Sequence, residues 1–241
     1  MKKRLFLAIS ISFLFLSAQA FADDGGKLFK VNVIIFTHIN KKSLSSESWP
    51  KQLLMPASRG ALSLAPYLTL NNDATDEAST ATPSKPKTYQ LLNPKSIGLK
   101  KMVKKLQGAG NTVLLDIAWV QPAIQTNSWI HIFGGQAYDA QGQTIANQTI
   151  DYNNMTPLTQ AAYWQLNGLI RISYNVMFNV GTKLYLTVPQ DLGSGLDAQA
   201  LKLAPLQTYT LFANHRTHKN QFVYFDHPLM GAIVYITPVK Q

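Results

Sequence analysis

The chain has 241 residues, 46% of them hydrophobic, with 22 Lys and Arg against 12 Asp and Glu and no cysteine. That length and apolar content are enough for a single domain with a real core. The missing cysteines exclude disulfides, thiolate metal sites, a cysteine nucleophile and lipid attachment through cysteine, so the fold has to rest on burial alone.

Met1-Lys2-Lys3-Arg4 and the apolar run at 5–16 predict a secretory signal peptide, because the run is too short for a comfortable membrane span. Two small-residue cleavage patterns overlap, Ala18-Gln19-Ala20 and Ala20-Phe21-Ala22, and the second starts the mature chain at Asp23. Residues 1–22 are therefore expected to be removed, and 23–241 to form one exported domain with at most peripheral membrane contact. The basic excess persists after removal of Lys2, Lys3 and Arg4. Outside the cytoplasm it suits phospholipid headgroups, lipopolysaccharide or wall carboxylates rather than nucleic acid.

The first predicted strand, 28–36, alternates at Lys30 and Asn32 and then turns fully apolar, as a central strand buried at one end would. Trp49-Pro50 lies in the polar loop that follows and is expected to pin that loop to the core, with contact to a partner as the alternative. At about residues 71–88 the composition falls to Asn, Asp, Ala, Thr, Ser, Pro and Lys, which predicts a disordered insertion rather than a domain boundary.

A helix is expected next, with Asn93 as N-cap, Pro94 at the first helical position and Gly108 at the end. Leu99, Met102, Val103 and Leu106 fall on one stripe, and Lys100, Lys101, Lys104 and Lys105 on the opposite side. This predicts an amphipathic helix with a basic outer face. That face is either a solvated surface or a docking site for an anionic polymer or lipid.

The strand at 112–120 should place Val113, Leu115, Ile117 and Trp119 on one face and Asp116 on the other. A strand at 128–138, with a bulge at Gly134-Gly135 and a turn at Asp139-Ala140-Gln141-Gly142, is expected to continue it as an antiparallel meander. Ile170, Ile172, Tyr174, Val176 and Phe178 then alternate with Arg171, Ser173 and Asn175, and Asn179-Val180-Gly181 reads as the turn before Leu184, Leu186 and Val188. After a loop at 190–204, three strands close the chain at 206–217, 221–225 and 232–236. One main helix and about eight strands predict an α+β domain, mostly antiparallel sheet.

Catalytic patterns are scarce. There is no Gly-x-Ser-x-Gly, phosphate loop or His-Glu-x-x-His. His38, His131, His215, His218 and His227 invite a zinc reading, but His215 and His218 would diverge on a strand, so no metal or other cofactor is assigned. Asp226 and His227 are adjacent and diverge likewise. Asp226 is expected to accept backbone N–H groups in an Asx-turn, with His227-Pro228 shaping a corner that interrupts the sheet.

The run from Arg216 to Gly231, with Tyr224-Phe225-Asp226-His227-Pro228 at its centre and Ile233-Val234-Tyr235-Ile236-Thr237-Pro238 after it, resembles the C-terminal signature of the CsiV family, periplasmic peptidoglycan-binding proteins of Gram-negative bacteria. The apolar strand after the signal peptide, Trp49-Pro50, and Leu114-Leu115-Asp116-Ile117-Ala118-Trp119-Val120-Gln121-Pro122 fall in the matching order. Residues 169–188 depart from the family's Arg-Tyr-Leu-His run, and Asn220-Gln221 stand where an acidic residue is usual.

The resemblance implies a periplasmic, non-catalytic accessory of cell-wall synthesis and cell shape. It would bind peptidoglycan and promote a bifunctional penicillin-binding protein through that enzyme's lipoprotein activator. Lys100, Lys101, Lys104 and Lys105 are the candidate contacts with stem-peptide carboxylates. The competing readings are an envelope hydrolase and a structural subunit of an envelope complex.

Overall fold

The computed structural model describes residues 27–38, 53–64, 89–123, 128–145, 163–189 and 206–239. The signal peptide, Trp49-Pro50, the insertion at about 71–88 and the 190–204 loop lie outside them. In chain order the elements are β1 (Leu28–Thr37), β2 (Leu62–Ser63), β3 (Gln90–Leu91), a 3-10 turn (Pro94–Ser96), α1 (Lys100–Gly108), β4 (Thr112–Pro122), β5 (Ile130–Tyr138), β6 (Tyr163–Asn175), β7 (Met177–Pro189), β8 (Leu206–Thr217), β9 (Phe222–His227) and β10 (Met230–Pro238).

These strands form two five-stranded sheets, in the orders β3-β4-β1-β10-β9 and β2-β5-β6-β7-β8. Among the described residues all pairings are antiparallel except the short β2–β5 contact, and these residues are β-rich with one short α-helix. The sheets share one core: Val31, Val33 and Trp119 of the first pack in the same cluster as Ile170, Leu184 and Leu186 of the second. A buried polar link crosses it, in which Trp119 Nε1 donates to Gln121 Oε1 at 2.9 Å and Gln121 Nε2 donates to the Ile172 carbonyl at 3.0 Å.

The first strand is central, as its apolar run predicts, paired with β4 on one side and β10 on the other. Three expectations of connectivity are corrected. β4 and β5 do not form a meander; they belong to different sheets, and the meander begins at β5. The turn expected at Asn179-Val180-Gly181 lies instead at Val176, whose φ of 63° reverses the chain while Val180 and Gly181 stay paired within β7. Val113 leaves the expected face because the register slips between Ile35 and Phe36, sending it to the helix side while Leu115, Ile117 and Trp119 stay in the core.

The expected bulge at Gly134-Gly135 is present as a register shift, with Gly135 at φ 75°. It also brings the sheets close: a Cβ on Gly134 would sit 2.4 Å from the Leu114 carbonyl oxygen. The turn after β5 closes on Asp139, whose Oδ1 accepts the Gln141 and Gln143 N–H groups at 2.9 and 2.8 Å.

Candidate functional site

The outer face of the first sheet brings together the two stretches that the sequence singles out, the lysine helix and the C-terminal hairpin. Strand alternation puts Ile34 and Phe36 of β1 and Ile233 of β10 on that face, away from the main core, where Leu99 joins them in a second apolar cluster. Met102, Val103 and Leu106 of α1 are half-buried against this cluster, while Lys100, Lys101, Lys104 and Lys105 are exposed.

The boundaries of the helix differ from the expected ones. Asn93 Oδ1 accepts the Lys95 N–H at 2.9 Å and so caps only the 3-10 turn, and α1 starts afresh at Lys100 after Leu99, with no side-chain cap. Its end is a Schellman closure: the Gly110 N–H donates to the Gln107 carbonyl and the Asn111 N–H to that of Leu106. The left-handed residue is Gly110 at φ 83°, whereas Gly108 is still helical. Beneath the helix, Asp116 on β4 points outward as expected. Its Oδ1 is buried without a hydrogen-bond partner among the described residues, and burial pushes its carboxyl up, with nearby Lys100 pulling it down.

In the C-terminal hairpin, Asp226 and His227 do not break the ladder. Asp226 pairs with Gly231 and His227 with Met230, and the reversal falls on Pro228-Leu229. The Asx-turn reading of Asp226 is therefore corrected: its carboxylate points to the open face, opposite the turn, and His227 Nδ1 accepts the Leu229 N–H at 3.1 Å instead. The two neighbours diverge as strand geometry requires, with His227 buried and the Asp226 side chain 68% exposed. Val223 and Phe225 share the buried side with His227.

On the open side, strand register builds an aromatic row that the sequence reading missed. Tyr235 lies opposite Phe222, and Ile233 opposite Tyr224. The Phe222 and Tyr235 rings stack at 4.3 Å, and Phe36 stacks on Tyr224 at 6.4 Å with only 6° between planes. Phe222 and Tyr224 remain 52% and 53% exposed. Gly231 makes the second stack possible: a Cβ there would lie 2.4 Å from Phe36 Cζ.

Polar groups close one end of the row. The Tyr224 hydroxyl donates to Asp226 Oδ1 at 2.8 Å, and His38 Nε2 lies 3.8 Å from the same oxygen. Burial, together with the hydrogen bond and charge of Asp226, pushes the Tyr224 hydroxyl up to about 12. The signal for this row was the i, i+2, i+4 series Phe222, Tyr224, Asp226.

A model of the CsiV family, described as a peptidoglycan-binding protein, matches residues 5–239. The chain belongs to the CsiV family. The residues on which the sequence resemblance rests split between the two sides of β9, Tyr224 and Asp226 on the open face and Phe225 and His227 in the core. No curated protein matches this CsiV-family chain. Among solved structures, the Type IV competence pilus secretin PilQ of V. cholerae aligns at 10% identity and a TM-score of 0.27, covering 89% of this chain and 58% of that one, a likeness too low to carry an argument.

Three or more His, Asp or Glu side chains do not gather in a metal-binding group among the described residues. Within the same residues, no helix is long and apolar enough to cross a membrane.

Proposed function

We propose that this CsiV-family protein is a non-catalytic periplasmic accessory of cell-wall synthesis. It is exported by the signal peptide at 1–22, works as a single unit over 23–241, and holds peptidoglycan through the open face of its first sheet. The observation that carries the reading is the meeting of four exposed lysines on α1 with the signature hairpin on that one face. Stem peptides bear carboxylates, and lysines at 100, 101, 104 and 105 of an amphipathic helix offer them multivalent, salt-sensitive contacts.

The composition of the helix supports this role. α1 has no acidic residue in its first turn and no side-chain cap, and it begins with Lys100 and Lys101 where the helix dipole opposes cations. A residue choice that works against local stability points to another use. Wall-bound, the protein would promote a bifunctional penicillin-binding protein through its lipoprotein activator.

The test is co-sedimentation of the purified mature protein with isolated sacculi. Wild type should pellet, and the fourfold Lys100, Lys101, Lys104 and Lys105→Glu variant should stay largely soluble. Unchanged pelleting of that variant would remove the helix from the site.

An envelope hydrolase is the second reading, favoured by the approach of His38 to Asp226 beside Tyr224. It requires release of muropeptides from sacculi, and intact sacculi after incubation would eliminate it. A purely structural subunit would be indicated by recovery of an envelope partner with no sacculus binding.

A further inference from the structure

Resting on the peptidoglycan-binding reading, we infer that the row Phe222, Tyr224 and Asp226 on β9 is the subsite for the sugar backbone of the wall, a β-linked pyranose chain, and that the α1 lysines serve the peptide stems.

Residues two apart on a strand share a face about 6.6 Å from one another, so Phe222 and Tyr224 present successive rings along one line. Each exposed ring is backed by a second one, Tyr235 behind Phe222 and Phe36 behind Tyr224. Such rings are held before any ligand arrives and lose little freedom on binding.

A pyranose ring has apolar C–H faces and a rim of hydroxyl and amide groups, and this surface has the complementary pattern. Aromatic faces run along β9, and at their end lie a carboxylate that accepts hydrogen bonds and a phenol fixed against it at 2.8 Å. The Asp226 side chain is 68% exposed and able to accept from a sugar hydroxyl or amide N–H. That same carboxylate disfavours anionic lipid headgroups and acidic polymer at this spot. Anionic recognition therefore falls to α1 on the same sheet face, which separates the two ligand chemistries in space.

Among the described residues the other exposed ring of comparable size, Phe212 on β8, is 57% exposed, belongs to the second sheet, and is backed by Tyr185 edge-on at 63° rather than stacked. It serves as the control.

The experiment compares binding of mature protein to intact sacculi and to stripped glycan, the strands that amidase frees from their stem peptides, with the lactyl carboxylates so exposed capped as methylamides. Wild type should bind both, with the stripped glycan held more weakly. Phe222→Leu with Tyr224→Leu keeps apolar volume but removes both ring faces, and should weaken binding to stripped glycan by about tenfold or more. The fourfold lysine variant should bind stripped glycan as weakly as wild type does and fall to that same weak level on intact sacculi, and Phe212→Ser should change neither.

Failure of wild type to bind stripped glycan overturns the sugar subsite while leaving peptidoglycan binding through the stems. Equal binding by the double Leu variant, or an equal loss with Phe212→Ser, also overturns it. Failure of wild type to bind intact sacculi removes peptidoglycan recognition altogether, and the subsite with it.

Discussion

Gly231 shows how much one hydrogen atom decides on the open face. A methyl group there would collide with the Phe36 ring, which lies across the strand and supports Tyr224. Gly231→Ala should therefore destabilise the fold by about 1–3 kcal/mol, the usual scale of overpacking. It should also weaken sacculus binding, and a variant with an unchanged denaturation midpoint would mean that Phe36 moves aside freely.

Asp116 gives a pH dependence of known sign. Burial raises its carboxyl above the ordinary 3.8. The folded chain then holds the proton to higher pH than the unfolded chain, so stability is fullest below the unfolded value and declines as pH rises through the raised folded one. Asp116→Asn should accordingly melt above wild type at about pH 7 and level with it at about pH 3. A gain of the same size at both would place its cause elsewhere.

Among elements, α1 sets stability against binding at Lys101 and joins them at Lys100. Lys101 occupies the second helical position, where the exposed N–H groups favour a carboxylate, and Lys100 tempers the buried Asp116. Lys101→Glu should therefore raise the melting midpoint slightly, by the equivalent of about 0.3–1 kcal/mol, while weakening sacculus pelleting. Lys100→Glu should lower both, because it sets a second carboxylate near Asp116. Identical thermal effects for the two variants would contradict this assignment.

The elements were legible wherever the signal was local. The apolar run of β1, the alternation from Ile170 to Tyr174 and the Gly134-Gly135 bulge each follow from side-chain period or glycine freedom. Two misplacements arose where backbone geometry overrode preference. Val176 adopts a left-handed φ that β-branched residues resist, so the sequence places the turn about four residues too late, beside a glycine. Asn93 looked like a helix cap because Gly98 and Leu99 give no local sign that the helix restarts there.

At the scale of the whole molecule, what stayed hidden was pairing. Sheet membership of β4 and β5 depends on contacts far apart in sequence, and the aromatic row takes Phe36, Tyr235, Phe222 and Tyr224 from three strands. Asp226 and His227 were legible as divergent neighbours, yet their places within a ladder depended on a turn formed by Pro228-Leu229.

The two sheets are tied through Gln121, which joins Trp119 to the Ile172 backbone across the core. Gln121→Leu should cost about 1–3 kcal/mol by leaving the buried indole N–H unpaired. Chemical denaturation would check this, with little or no loss implying that the indole finds another acceptor.

The open face of the first sheet, held rigid by this core, is the proposed wall-binding surface. Sedimentation of mature protein with isolated sacculi tests that claim most directly. Wild type should pellet, with a yield that declines with added salt and is largely lost in the fourfold lysine-to-glutamate variant. A wild-type protein left in the supernatant at low salt would contradict it.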